Sequence, residues 1–288
     1  MTVALTLILN GLANSAIYFL MAAGLTLIFG LLRVINFAHG AFYLWGAYLA
    51  TFLYATTHSF VVALVGGIAV GAVLGWISER GLMAAIYGQG TQQLLITMGI
   101  FILLSELVKI PFGRNPVNSN PPSGLDKSWL IGHVVVVQYQ VFTIIVGLVV
   151  YVLLQLLLQR TRIGLTVRAG VANPELVEAR GIPIRRVFTA VFVLGAALAG
   201  FAGALAGPYF GSITPDMGFS MQLDAFIIVV LGGLGSLTGS LVGSLLIGVA
   251  TAVVSYYASS LAVLASVVLM AIVLVIRPHG LFGSKEVA

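Results

Sequence analysis

The sequence predicts an all-α fold: a polytopic membrane bundle of about eight segments, some of them broken or re-entrant. Three observations carry this. Of 288 residues, 60% are apolar and 7% charged, with a mean hydropathy of +1.13; soluble domains run at roughly 45–50% apolar and about 25% charged. Apolar runs of span length recur along the whole chain, separated by short polar segments. Two of those runs are interrupted by polar or glycine-rich motifs, one in each half. Water would drive so much apolar surface to aggregate, so lipid is the solvent over much of it.

A span needs about 20 apolar residues. Runs of this kind lie near 4–31, 36–57, 60–78, 92–112, 137–158, 187–207 and 261–276. The stretch 221–258 remains, and as one helix it would be roughly 55 Å long, far more than a bilayer needs. Leu231-Gly232-Gly233-Leu234-Gly235-Ser236 sits inside it, so a short half-helix, a glycine break and a full helix are expected. Met1-Thr2-Val3-Ala4-Leu5 carries no basic segment and leads to no small-residue cleavage site, which reads as an uncleaved first span. Residues 1–288 are expected to form one transmembrane domain with a cytoplasmic loop at 160–186.

The loops set the orientation. Arg160, Arg162, Arg168, Arg180, Arg185 and Arg186 face only Glu175 and Glu178 within 160–186, and basic loops stay in the cytoplasm. The net charge of +5 reports this bias rather than nucleic-acid binding. Counting outward places the N-terminus outside, Arg33 and Glu79-Arg80 inside, and 113–135 outside. Arg277 and Lys285 fall inside only if 221–258 enters and leaves on one face, which is the expected arrangement. The external segment 113–135 is rich in Asn, Pro, Ser and Gly and reads as a connector.

The first interruption is Arg33-Val34-Ile35-Asn36-Phe37-Ala38-His39-Gly40. Polar groups at membrane depth must pair within protein or line a wet cavity. Two readings stand: a broken segment on a transport path, or a cytoplasmic turn capped by Asn36. The second interruption is the glycine run, preceded by Asp224. Rows of small residues (Gly195, Ala199, Gly203, Gly207; Gly239, Gly243) read as close helix packing. Glu106 and Lys109, three apart on one helix face, read as a structural pair.

The third motif lies in the cytoplasmic loop. Asn173 is a cap, Pro174 suits a first turn, Glu175 sits at the positive helix end and Arg180 at the negative end. Gly181 is a C-cap with Pro183 behind it. A short helix of about seven residues between two spans is specified, with Leu176, Val177 and Ala179 as its apolar side. It either docks a cytoplasmic protein or lies on the membrane surface.

Together these motifs resemble the permease subunits of ABC importers for branched-chain amino acids, the LivH-like family, over nearly the whole chain. The resemblance rests on Gly24-Leu25-Thr26-Leu27-Ile28-Phe29-Gly30 followed by Ile35-Asn36-Phe37-Ala38-His39-Gly40. It also rests on Arg168-Ala169 through Gly181-Ile182, on Val230 to Ser236, and on the closing Arg277-Pro278-His279-Gly280-Leu281-Phe282-Gly283. It implies a type II ABC importer-like fold in a bacterial inner membrane. The translocation path is then expected at Asn36, Phe37, Ala38, His39, Gly40, Gly232, Gly233, Gly235 and Ser236. ATPase coupling falls on Arg168, Ala169, Asn173, Pro174, Glu175, Glu178, Ala179 and Gly181. The implied partners are a second, LivM-like permease subunit, two cytoplasmic ATPase subunits that use ATP and Mg, and a periplasmic solute-binding protein. This chain itself is expected to bind no cofactor. Ala172-Asn173 departs from the family, many of whose members have acids there. The wider family also carries urea, short amides and aromatic acids.

Two other functions compete. An ion-coupled secondary transporter or channel needs ionisable groups within the bundle, and Glu106, Lys109 and Asp224 are the candidates. A membrane-embedded enzyme is disfavoured, because His39, His58, His133 and His279 show no metal spacing and no Ser/His/Asp set is suggested. A phosphate loop, Gly-x-x-x-x-Gly-Lys-Ser/Thr, is absent from the sequence, so energy must come from a partner. Without cysteine there is no disulfide or thiol chemistry.

Overall fold

The computed structural model describes residues 2–32, 34–132, 134–172 and 174–283. Asn173, expected to cap the coupling helix, lies outside them, as do Arg33, His133 and Lys285.

The chain is helical almost throughout, with helices α1 (Thr2–Leu32), α2 (His39–Thr57), α3 (Phe60–Gly81), α4 (Gly90–Leu107), α5 (Lys109–Phe112) and α6 (Gln138–Arg160) in its first half. The second half holds α7 (Arg162–Ala172), α8 (Pro174–Ala179), α9 (Ile184–Phe210), α10 (Met217–Gly232), α11 (Leu237–Tyr257) and α12 (Ala262–Ile276). Among the described residues, seven segments are long and apolar enough to cross a membrane: 3–30, 60–85, 90–112, 138–160, 184–210, 237–257 and 259–276. The shorter α10 is the half-helix expected before the glycine break.

Small residues decide which helices touch. A Cβ added at Gly46 of α2 would overlap the backbone of Gly200 in α9, and one at Gly71 of α3 would lie 3.1 Å from the same Gly200 Cα. Gly200 therefore marks the point where three helices meet backbone to backbone. This is how helices associate in lipid, where apolar side chains gain little by leaving the hydrocarbon. The small-residue row of α9 is thus packing, as its spacing indicated. Along α1, Gly11 approaches Val249 and Gly30 approaches Gly235, so α1 and α11 run antiparallel. Buried Thr26 and Ser240 hydroxyls join the same pair at 2.5 Å.

The chain from 217 to 257 forms a hairpin. Gly232 of α10 packs on Gly239 of α11, and Ile228 packs on Gly243, so the two helices fold back on one another. Both outer ends of this hairpin lie on the side of the external segment, as the charge distribution predicted.

That external segment is more ordered than a connector. Strand β1 (Val117–Asn118) pairs with β4 (Ser212–Ile213), and β2 (Ser128–Ile131) pairs with β3 (Val134–Val137), all antiparallel. The Thr51 and Ser119 hydroxyls meet at 2.8 Å, and the Ser123 amide donates to the Tyr54 hydroxyl at 3.0 Å. The segment closes over the ends of α2 and α9. Turn residues signalled its bends but not these pairings, which depend on distant Ser212 and Ile213.

Candidate translocation path and coupling segment

The first interruption is not a surface turn. The His39 Nε2 lies 3.0 Å from the Met21 carbonyl oxygen, and the ring packs on Gly24, where an added Cβ would lie 2.8 Å from Cε1. Gly24 is eight residues before the end of α1, about 12 Å of helix. The chain therefore leaves α1, climbs back as residues 34–38, and starts α2 beside the middle of α1. The helix expected from residue 36 begins at His39, because the backbone before it is irregular.

Non-helical backbone at this depth needs partners, and side chains supply them. Asn36 Oδ1 accepts from the Ala38 amide at 3.1 Å. Thr97 of α4 donates to the Ile35 carbonyl at 3.4 Å, and Gln222 Nε2 of α10 donates to the Asn36 carbonyl at 3.3 Å. Asn36, His39 and Thr97 are 0% exposed and Gln222 is 1% exposed. One polar atom on each of Asn36 (Nδ2), His39 (Nδ1) and Gln222 (Oε1) has no hydrogen-bond partner among the described residues. Gly40 lets this arrangement close, since a Cβ there would lie 2.8 Å from the Gln222 Cβ and overlap the Gly218 carbonyl. Ala38 is buried with them, and Phe37 is half-buried.

The glycine break lies elsewhere. Ser236 caps α11, its hydroxyl accepting from the Gly239 amide at 3.0 Å. Gly233 (φ +103°) and Gly235 (φ +83°) turn the chain through left-handed backbone. The C-terminal segment then pairs with the end of α10: the Leu281 and Phe282 amides donate to the Leu231 and Gly232 carbonyls, both at 2.9 Å. Those carbonyls would otherwise be orphans of the last helical turn. Gly232 and Gly233 are buried under this tail, and Gly235 is exposed. The nine expected path residues thus form two clusters rather than one. Asn36 to Gly40 meet α10 and α4, while Gly232 to Ser236 meet the end of α1 and the tail.

The segment expected to couple to an ATPase contains two helices where one was expected. An additional helix, α7, precedes the short α8. Its apolar residues do not face inward together: Val167 is buried, whereas Ile163 and Leu165 are exposed. Arg168, Ala169, Glu178, Ala179 and Gly181 are also exposed. Gly181 takes φ +79°, and its amide donates to the Glu178 carbonyl at 2.8 Å, closing α8 as the sequence indicated. Leu176 presents an apolar side chain at 63% exposure, and Val177 turns inward. Pro174 and Glu175 form the first turn of α8.

Sequence reasoning missed two groups. Gln222 and Thr97 hold the irregular segment, and each was read only as part of an apolar run. A lone amide in such a run was the available signal. Glu79, at the end of α3, is 1% exposed and accepts from the Tyr87 hydroxyl at 2.7 Å. Tyr87 meets Phe188 of α9 edge-on at 5.4 Å. Burial, then Glu79, pushes the Tyr87 phenol well above its ordinary range, so it remains a donor. Glu106 and Lys109 form the expected ion pair. Asp224 lies on α10 within hydrogen-bonding reach of Tyr18 and Ser266. Among the described residues there is no cluster suited to a metal ion.

Comparison with known proteins places this geometry. Residues 7–277 match the family described as branched-chain amino acid transport system / permease component. The chain is 32% identical to the high-affinity branched-chain amino acid transport system permease protein LivH of Escherichia coli (strain K12), covering 96% of this chain and 95% of that one. It is 30% identical to the corresponding permease protein BraD of Pseudomonas aeruginosa, covering 97% and 96%. Among solved structures, PsaBC from Streptococcus pneumoniae in complex with Fab shares the fold. That match has a TM-score of 0.51 at 15% identity and covers 94% of this chain and 91% of that one.

Proposed function

We infer the function from one premise: this chain belongs to the family of branched-chain amino acid transport permease components. It is a multi-pass membrane transport subunit of an ABC uptake system. Its solute is a branched-chain or related amino acid, the substrate that the names of LivH and BraD carry. Residues 1–288 act as one transmembrane domain in a bacterial inner membrane.

The observation that carries this reading is the pair α7–α8. It projects Ile163, Leu165 and Leu176 outward on an arginine-rich segment between two spans. Exposed apolar side chains among charges suit a protein groove better than bare solvent. One of two ATPase subunits docks there, against the surface from Arg168 to Gly181, the other docks on the second permease, and the two supply the ATP and Mg chemistry. A second, LivM-like permease subunit completes the path, and an external binding protein delivers the solute. In the path, Asn36 to Gly40 form the irregular wall at mid-depth, and Gly232 to Ser236 form the hinge-like turn beneath it.

The test is uptake into proteoliposomes holding the complete complex, with leucine, aromatic acids and short amides as candidate solutes. ATP-dependent uptake of leucine that needs the binding protein is expected. Uptake by this chain alone, driven by an ion gradient, would replace the reading with a secondary transporter.

A further inference from the structure

Gly99 stands near the middle of the span Gly90–Phe112, and a Cβ added there would meet nothing within 4 Å. This sets it apart. Among the described residues, every other glycine inside a long helix, apart from terminal Gly81 and Gly90, has a neighbour within that distance. Gly24 meets His39 and Gly195, Gly147 meets Ala16, and Gly248 meets Ser15. A glycine within a helix costs about 1 kcal/mol relative to alanine. The others offset that cost with close contacts, and Gly99 has none within its own chain.

Its neighbours on the helix are informative. Gln92 and Glu106 lie seven residues to either side, two helical turns away and on the same face. Each is about 10.5 Å along the axis from Gly99, inside a hydrocarbon slab of roughly 15 Å half-thickness. Both side chains are exposed, and no hydrogen bond is formed by Gln92 among the described residues. Leu95, Ile102 and Leu103 flank the stripe at 64%, 55% and 58% exposure. Lipid tails offer no partner to the Gln92 amide, whereas Glu106 is paired with Lys109 within the chain. A small residue at the centre, large apolar residues beside it and polar groups in line is the composition of a helix–helix seam in a membrane.

We propose that this face of α4, centred on Gly99, is where a transmembrane helix of the second permease subunit packs. The proposal rests on the permease reading above. Depth selects the occupant: at mid-span only another membrane-embedded chain can reach Gly99, not an ATPase subunit at the arginine-rich end or a binding protein outside.

The chain has no cysteine, so Gly99→Cys introduces a single thiol. It would be studied in membranes holding the whole complex, with Val65→Cys on exposed α3 as control. A membrane-permeant maleimide should modify Gly99→Cys at least tenfold more slowly in the complex than when the second permease is not co-expressed, and a hydrophilic methanethiosulfonate reagent should not modify it in either. The control should not change. A benzophenone amino acid at Leu103 should cross-link to the second permease. Gly99→Leu should reduce co-purification of that subunit at least tenfold while leaving this chain's melting temperature unchanged. Fast hydrophilic labelling in the complex would make the face a wall of the aqueous path and overturn the seam. Labelling that ignores the partner, with no cross-link, would make the face lipid-exposed and overturn it too. If no second permease accompanies the unmodified chain, the permease reading itself fails; if it accompanies the native chain and Gly99→Leu alike, only the seam fails.

Discussion

The His39 imidazole is seated on α1, its Nε2 3.0 Å from the Met21 carbonyl oxygen, and this contact fixes where α2 begins. The ring fills the space left by Gly24 at the crossing of α1 and α9. His39→Ala is expected to leave a cavity and lose one hydrogen bond, costing about 2–4 kcal/mol. Thermal unfolding of the complex in detergent measures this; an unchanged melting temperature would mean that the ring does not hold the start of α2.

Gln222→Leu removes the donor to the Asn36 carbonyl in a site that is closed to solvent. An unsatisfied buried carbonyl costs about 1–3 kcal/mol. The expected outcome is a loss of uptake with retained ATPase association, read as leucine accumulation against co-purified ATPase. Gln222→Asn, which keeps the amide on a shorter stem, should retain more uptake than Gln222→Leu.

Gly233→Leu should block transport and leave ATPase docking intact. The residue adopts φ +103°, which L side chains rarely adopt, and a Cβ there would lie 2.8 Å from the Gly283 Cα. The substitution pushes the C-terminal tail off the end of α10, and loss of the two tail hydrogen bonds should expose residues 277–283 to protease. Normal uptake would remove the glycine break from the working parts of the path.

Gly181→Val strains the left-handed turn that closes α8, a cost of about 1–3 kcal/mol. The transmembrane bundle should stay assembled, because Gly181 is exposed and touches nothing within 4 Å of an added Cβ. Weaker association with the ATPase subunits is the expected result, measured by co-purification. Undiminished association would shift the docking role away from α8.

Tyr87→Phe keeps the ring against Phe188 but leaves the buried Glu79 carboxylate without its donor. Leaving this buried acceptor without its hydrogen-bond donor costs about 1–3 kcal/mol. The double variant Glu79→Leu/Tyr87→Phe should recover most of that loss in melting temperature. If Tyr87→Phe alone melts like the native protein, the carboxylate has another partner.

Much of the bundle was legible because membrane residence imposes strong local rules. Apolar runs such as those near 60–78 and 261–276 are helices of span length, as their composition required. Gly181 and Pro183 ended α8 by backbone preference alone. The site was legible only in outline. Asn36 and His39 were visible as misplaced polar residues, but nothing local says that α2 starts beside Met21 rather than in the cytoplasm. The extra helix α7 was passed over because its inward face, Gly164, Val167 and Gly170, is made of small residues and one valine and gives little apolar signal.

The sequence by itself determined that this is a helical membrane permease and that α8 closes at Gly181. Each of these follows from interactions within a few residues or from the solvent the side chains require. Only the tertiary structure decided that the two interrupted segments occupy different levels, that Gln222 and Thr97 hold the first, and that the C-terminal tail covers the second. Those facts depend on groups from 50 to 186 residues apart meeting at one depth, as Asn36 and Gln222 do. Close helix approach through small residues creates that meeting, and no local pattern encodes it.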